Sequence, residues 1–327
     1  MYKPRNMLVT GGAGFIGANF IHGIIKQYSN IQVINLDKLT YAGSRTHLEG
    51  LSNPEQHIFV EGDICNGKLV SQLLEKYHID TIVHFAAESH VDRSITGPAA
   101  FVQTNIIGTF TLLEAARQHK CRFHHISTDE VYGTLNKTAP AFTETTSYAP
   151  NSPYSASKAG SDHLVRAYYH TYGLPVTTTN CSNNYGPYQH TEKFIPTVIR
   201  ACIEKKPIPV YGDGSNIRDW LYVDDHCRGI MRVIERGKLG ETYNIGGWNE
   251  WTNLALVKKI CELMDVRCPE HAPHEKLLQF VTDRPGHDWR YAINANRMKD
   301  ELDWVPEETF ETGILKTLDY EYRRYHR

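Results

Sequence analysis

Residues 6–17 read Asn6-Met7-Leu8-Val9-Thr10-Gly11-Gly12-Ala13-Gly14-Phe15-Ile16-Gly17. An apolar run of strand length stops at two glycines, and apolar residues at helical spacing continue from Phe15 to Tyr28. Gly11, Gly14 and Gly17 thus follow a predicted strand and open a predicted helix. A turn there needs positive φ, a backbone must approach a pyrophosphate, and a helix N-terminus offers N–H groups and a positive dipole end. The spacing is G-x-x-G-x-x-G rather than the commoner G-x-G-x-x-G. Asp37 closes the next strand, 20 positions after Gly17. A carboxylate there accepts from a ribose 2′-hydroxyl and repels a 2′-phosphate, which favours NAD over NADP. Lys38 follows directly and is either solvated or a reservation against that preference.

Working outward, strand candidates at 31–36, 57–62, 81–85, 122–127 and 176–179 alternate with helical stretches near 69–77, 99–119 and 155–172. This alternation predicts an α/β fold, a Rossmann-type doubly wound parallel sheet covered on both faces. Beyond about residue 184 proline and glycine become frequent and strands shorten, which predicts a smaller, mostly helical substrate lobe. The expected division is 1–185 as the dinucleotide-binding domain, with 222–246 returning to it as helix then strand. Residues 186–221 and 247–327 form the second domain.

Composition bounds the function. The 327 residues carry 35 Lys+Arg against 37 Asp+Glu, a formal net charge of -2, so no global field draws the molecule to nucleic acid or an anionic membrane. The N-terminal residues run straight into a strand with no room for a cleavable leader, and no run of about 18 apolar residues exists. Seven cysteines without a C-x-x-C pair read as reduced thiols, so a cytoplasmic protein is expected. The 17 histidines include no H-E-x-x-H, so no metal is expected.

Several residues fall at the carboxyl ends of predicted strands, where ligands bind in open α/β sheets. Asp63 follows the third strand, placed either to meet an adenine amino group or to cap the next helix. Ala86 and Ala87 follow the fourth, where small side chains let a cofactor lie close. Ser127-Thr128-Asp129-Glu130-Val131-Tyr132-Gly133 follows the fifth. Adjacent carboxylates point to opposite faces of a strand, so Asp129 and Glu130 can share one substrate only if the strand has ended. Tyr154 and Lys158, at i and i+4, share a helical face. An ammonium there stabilises a phenolate, and a lowered tyrosine pKa allows proton removal from a sugar hydroxyl, with Thr128 bonding the same oxygen. Arg218 suits a pyrophosphate bidentately, or else an ion pair with Asp219 or Asp225.

These motifs, together with 86–95, 152–159, 180–189, 218–226 and 283–288, resemble the extended short-chain dehydrogenase/reductases, and within them the dTDP-glucose 4,6-dehydratases. The Thr128-Asp129-Glu130 run is the discriminating element, since related epimerases and decarboxylases lack an Asp-Glu pair there. The resemblance implies a lyase with NAD as cofactor. Tyr154 takes the C4 hydroxyl proton as hydride leaves C4, Glu130 removes the C5 proton, and Asp129 protonates the departing C6 hydroxyl before hydride returns to C6. It also implies cofactor contacts at Gly11, Gly14, Phe15, Ile16, Gly17, Asp37, Lys38, Leu39, Thr40, Asp63, Ile64, Ala86, Ala87, Ser89, Thr104, Tyr154, Lys158 and Asn184. Nucleotide-sugar contacts are implied at His90, Thr128, Asn183, Lys193, Phe194, Pro209, Tyr211, Arg218, Asn253, Asp283, Arg284 and His287. Thr191 stands where the family usually has proline, a departure affecting the loop around Gln189. A homodimer through helices near 99–119 and 155–172 is implied as well. The competing readings are another nucleotide-sugar enzyme, such as a 4-epimerase or decarboxylase, and a non-catalytic NAD-sensing protein.

Overall fold

The computed structural model of the chain describes residues 1–283 and 287–326. Strand β1 (Asn6–Thr10) passes through the glycine turn into α1 (Phe15–Gln27), and β2 (Gln32–Asp37) follows. Next come β3 (His57–Glu61), α2 (Gly67–Lys76), β4 (Thr81–His84) and α3 (Val91–Thr96). The stretch read as one helix from 99 to 119 is α4 (Pro98–Phe101), a π-helical run Val102–Gly108 and α5 (Thr109–His119). The π-turn turns Asn105 inward. Its amide bonds the Glu88 backbone and donates to Ser157 Oγ at 2.8 Å, a widening of the helix of the kind found at functional sites.

The alternating half closes with β5 (Arg122–Thr128), α6 (Pro153–Tyr172) and β6 (Val176–Cys181). Local chemistry sets the ends of α6. Ser152 Oγ accepts from the Ser155 N–H, Pro153 supplies the first turn, and Gly173 takes the left-handed conformation at the other end. Six parallel pairings join seven strands in the order β10-β6-β5-β4-β1-β2-β3, where β10 is Thr242–Ile245. Met7, Leu8 and Val9 are fully buried because helices cover both faces of this sheet. The chain leaves β1 toward β2 on one side and resumes at β4 on the other, so a crevice opens at the carboxyl ends of these strands.

The remaining elements are β7 (Asn183–Tyr185), α7 (Phe194–Glu204), β8 (Ile208–Tyr211), β9 (Ile217–Tyr222) and α8 (Val223–Arg236). After β10 come β11 (Glu250–Thr252), α9 (Asn253–Arg267), β12 (Leu278–Val281), α10 (Asn296–Leu302) and α11 (Phe310–Tyr325). Helix α8 packs on α1 beneath the large sheet, and Ile230, Val233 and Ile234 complete that core. Helices α7, α9 and α11 enclose a separate core with two small sheets, β11-β9-β7 and β12-β8. Among the described residues no helix is long and apolar enough to cross a membrane.

Candidate active site

A cleft of about 300 Å³ lies over the carboxyl ends of β1, β2, β4 and β5 and reaches the loop before α7. Gly11, at φ +72°, forms its floor, and a Cβ there would stand 2.6 Å from the Ala86 backbone nitrogen. A Cβ on Gly17 would stand 2.4 Å from the Gly11 carbonyl oxygen. The N-terminus of α1 carries no side-chain cap, and Gly14, Phe15, Ile16 and Gly17 line the cleft. Unclaimed N–H groups at the positive end of a 13-residue helix fit a dinucleotide pyrophosphate.

Asp37 lines the same cleft, with its carboxylate accepting from Ala13 N and Leu39 N, both at 2.8 Å. It braces the glycine turn against the end of β2. The Lys38 ammonium pairs with Asp63 at 2.7 Å, so neither of its sequence readings describes it fully. Asp63 also accepts from Cys65 N, while Asn66 caps α2, so Asp63 is not that helix's cap. Thr40, Asp63, Ile64, Ala86, Ala87, Ser89, Thr104 and Asn184 line the cleft, whereas Leu39 does not.

Strand β5 ends at Thr128, and Asp129–Tyr132 turn as a short 3-10 helix, with Thr128 Oγ1 accepting from Glu130 N. The two carboxylates therefore escape strand alternation, and both line the cleft with Thr128, Tyr154 and Lys158. Asp129 is 1% exposed, and its Oδ2 lacks a hydrogen-bond partner. Burial, then the charges of Glu130 and Asp219, push its carboxyl well above the usual carboxylate range, with Arg218 opposing. That environment favours the protonated form of Asp129.

The Tyr154–Lys158 pair departs from expectation. Lys158 Nζ donates to the Ile126 carbonyl at 2.7 Å, and burial pushes the phenol well above its ordinary value, reinforced by Glu130. Burial and the nearby Glu130 carboxylate outweigh what favours phenolate here. The Thr128 hydroxyl does bond the phenol in the direction that favours phenolate. Burial lowers the Lys158 pKa, and Asp162 opposes that shift.

Asn183 and Lys193 line the cleft, and Lys193 Nζ donates to the Ser89 carbonyl at 2.9 Å. His90 stands at the start of α3, with Nε2 at 3.6 Å from Glu192. Arg218 does not line the cleft; its guanidinium stacks 4.2 Å over Tyr291 and donates to the Ile217 and Asp288 carbonyls. Asp219 instead accepts from Gly247 N and Asn249 N, and Asp225 pairs with Arg228. Phe194, Pro209, Tyr211, Asn253, Asp283 and His287 also stand outside the cleft lining. Asp283 and His287 pair at 2.6 Å, and the Tyr211 ring meets His287 edge-on, so these three form their own group. Arg284 lies outside the described residues.

Sequence reading missed Tyr41, Glu88, Cys181, Gln189 and His190 among the cleft residues. Glu88, Cys181 and Gln189 lay within motifs that carried the resemblance, and Gln189 and His190 lie in the loop where Thr191 departs from the family; Tyr41 carried no signal. That loop is held by Gln189 Nε2 on the Asn184 carbonyl and Arg324 on the Gln189 carbonyl. Among the described residues no cluster of three or more side chains could hold a metal ion.

The family model described as GDP-mannose 4,6 dehydratase matches residues 8–317. A dTDP-glucose 4,6-dehydratase of Xanthomonas campestris pv. campestris (strain B100) is 57% identical over 325 residues, spanning 96% of this chain and 92% of that protein. The enzyme of the same name from Salmonella typhimurium is 54% identical over 332 residues, again spanning 96% and 92%. Among solved structures, the dTDP-glucose 4,6-dehydratase of Streptomyces venezuelae, with NAD and TYD bound, superposes at TM-score 0.91. It is 44% identical, covering 98% of this chain and 97% of that one. A UDP-glucose 4-epimerase from Thermotoga maritima superposes at 0.89 with 28% identity, covering 98% and 100%. Architecture is thus shared across the wider group, while sequence over nearly the whole length is closer to one branch: the chain belongs to the nucleotide-sugar 4,6-dehydratase family, among the dTDP-glucose 4,6-dehydratases.

Proposed function

We propose that this protein is a lyase that converts dTDP-glucose to dTDP-4-keto-6-deoxyglucose with NAD. The observation that carries the reading is the buried Asp129, its carboxyl pushed up by burial, beside Glu130 in one cleft with Tyr154 and the glycine turn. An epimerase needs Tyr154 and Lys158 but leaves this acid and base idle. The uncapped end of α1 and Asp37 would hold NAD, which supplies the hydride acceptor for C4 and the donor for C6.

Tyr154 Oη takes the C4 hydroxyl proton, with the Thr128 hydroxyl bonded to the same oxygen. The C4 ketone acidifies C5, and Glu130 removes that proton. Asp129 gives its proton to the C6 hydroxyl, which leaves as water, and as C6 regains hydride Glu130 returns a solvent-exchanged proton to C5. For the charged and polar parts of the substrate we retain Lys193, Arg218, His90, Asn183, Asn253 and Asp283. Tyr211 and His287 are retained as substrate residues as well. Incubation with dTDP-glucose and NAD+ in deuterated water tests the reading: it predicts a 4-keto-6-deoxy sugar labelled at C5. A C4-inverted sugar would support an epimerase, and an unchanged one a protein that only senses NAD.

We further propose a homodimer. Val102, Ile107 and Phe110 on the helical run from α4 to α5 are 48%, 42% and 45% exposed, and Tyr172 at the end of α6 is 56% exposed. Such an apolar face suits a second copy of this chain. Sedimentation at micromolar concentration should give a dimer and the Phe110→Lys variant a monomer; a wild-type monomer would refute the assignment. The seven cysteines are free thiols, which agrees with a reducing, cytoplasmic setting.

A further inference from the structure

Asp162 lies on α6, one turn beyond Lys158 and two beyond Tyr154. It is buried, is not part of the cleft lining, and has three donors around its carboxylate. Oδ1 meets His125 Nε2 at 3.0 Å, while Oδ2 accepts from Ser127 Oγ at 2.8 Å and Tyr148 Oη at 2.9 Å. Two of these donors sit on β5, immediately before Thr128, Asp129 and Glu130. The third stands on the loop leading into α6. Behind them Asn180 Nδ2 donates to both Tyr148 and Tyr132, and Tyr132 donates to Asn244, so the network crosses β6 to β10.

A buried carboxylate without a role in folding alone would be costly, since replacing it with an apolar side chain is often neutral or stabilising. Here it faces a buried ammonium. The Lys158 Nζ donates to the neutral Ile126 carbonyl, and Asp162 is the largest influence favouring its charged form. Desolvation works against that charge.

We propose that Asp162 is a positioning residue: its buried carboxylate fastens α6 to β5 and sets a negative charge one helical turn from Lys158, supporting Lys158 on the face it shares with Tyr154. Asp162 touches neither substrate nor cofactor and acts through Lys158. The groups facing it are Lys158 and His163 on its own helix, His125 and Ser127 on β5, and Tyr148 on the preceding loop, with Tyr132 behind. His125 is held neutral by burial and the Lys158 charge, so it contributes a hydrogen bond and no cation. Burial raises the Asp162 carboxyl to about 6, with Lys158, Ser127 and Tyr148 pulling it back. Above that pH the carboxylate is charged and supports Lys158; as pH falls through about 6 the support is lost.

The inference rests on the dehydratase reading, and the test separates the two. In the NAD-loaded enzyme acting on dTDP-glucose, Asp162→Asn preserves shape and removes the charge. Its kcat should fall about tenfold or more near pH 8, and the wild-type-to-variant ratio should shrink toward one as pH drops through about 6. NAD affinity should stay within about twofold, since Asp162 lies outside the cleft. A ratio constant across pH would reduce Asp162 to a structural residue and overturn the proposal. Tyr148→Phe provides a second arm that keeps the charge: it removes one donor to the carboxylate, so the acid limb of kcat should move to higher pH. An unmoved limb with full activity overturns the proposal. A wild-type enzyme that leaves dTDP-glucose unchanged removes both the reading and the inference.

Discussion

The Asp129→Asn variant should oxidise the sugar at C4 and then stall, releasing dehydrated product about 10²–10⁴-fold more slowly than the wild type. An amide matches the carboxylic acid in shape and cannot give up a proton to the departing hydroxyl. The site already disfavours the Asp129 carboxylate, because burial comes first and the Glu130 and Asp219 charges add to it. The substitution therefore disturbs little else. Rapid mixing with dTDP-glucose should show reduced nicotinamide accumulating without 4-keto-6-deoxy sugar. Elimination at the parent rate would remove Asp129 from the acid role.

The same variant should be more stable than the parent at neutral pH. In the unfolded chain Asp129 loses its proton near the ordinary carboxylate value, about 3.9. In the folded protein it keeps that proton to a much higher pH. The native state thus binds more protons than the unfolded state across that window, and stability falls as pH rises through it. Asparagine has no such penalty, so thermal unfolding at neutral pH should occur at a higher temperature. At a pH below both values the difference should vanish. The acid that does the chemistry is in this sense a destabilising one.

Tyr154→Phe should act one step earlier, so that reduced nicotinamide does not accumulate. Loss of about 10²–10⁴-fold is expected in C4 oxidation itself, since no other group takes the C4 proton. The ring keeps its buried packing against Phe101, at a centroid separation of 6.3 Å, so folding should be little changed. A single-turnover measurement of nicotinamide absorbance distinguishes the two variants, one trapped after oxidation and the other before it. The phenol is pushed up by burial and Glu130, so the protein alone does not prepare it as a base near neutral pH. The rate of C4 oxidation in the parent should accordingly rise with pH as more phenolate becomes available. A flat profile would place the proton elsewhere.

The chemistry of this cleft was readable in pieces. Gly11 and Gly17 were legible because a turn and a close helix approach exclude a Cβ, and the structure places backbone atoms at both positions. Asp37 was legible because its distance from the glycines along a β-α-β unit is nearly fixed, and it does brace the turn. Thr128-Asp129-Glu130 was legible as a motif, yet its use depended on the strand ending at Thr128, which the pairing of β5 with β6 decides. Arg218 was read as a pyrophosphate ligand or an ion-pair partner. Its stacking on Tyr291, some 70 residues away in sequence, lies outside local pattern.

What the sequence determined by itself is periodic and short-range. Strands alternating with helices, a glycine turn between β1 and α1, and Tyr154 and Lys158 on one face of α6 all follow from spacing along the chain. What only the tertiary structure decided is the charge state of those groups. The direction of Lys158 toward the Ile126 carbonyl, the upward shift of the Asp129 carboxyl and the placing of Asp162 behind β5 come from residues far apart in sequence. The physical reason is that a side chain's pKa depends on how much water and which charges surround it. Those surroundings exist only after the sheet, its helices and the second lobe have closed over the cleft.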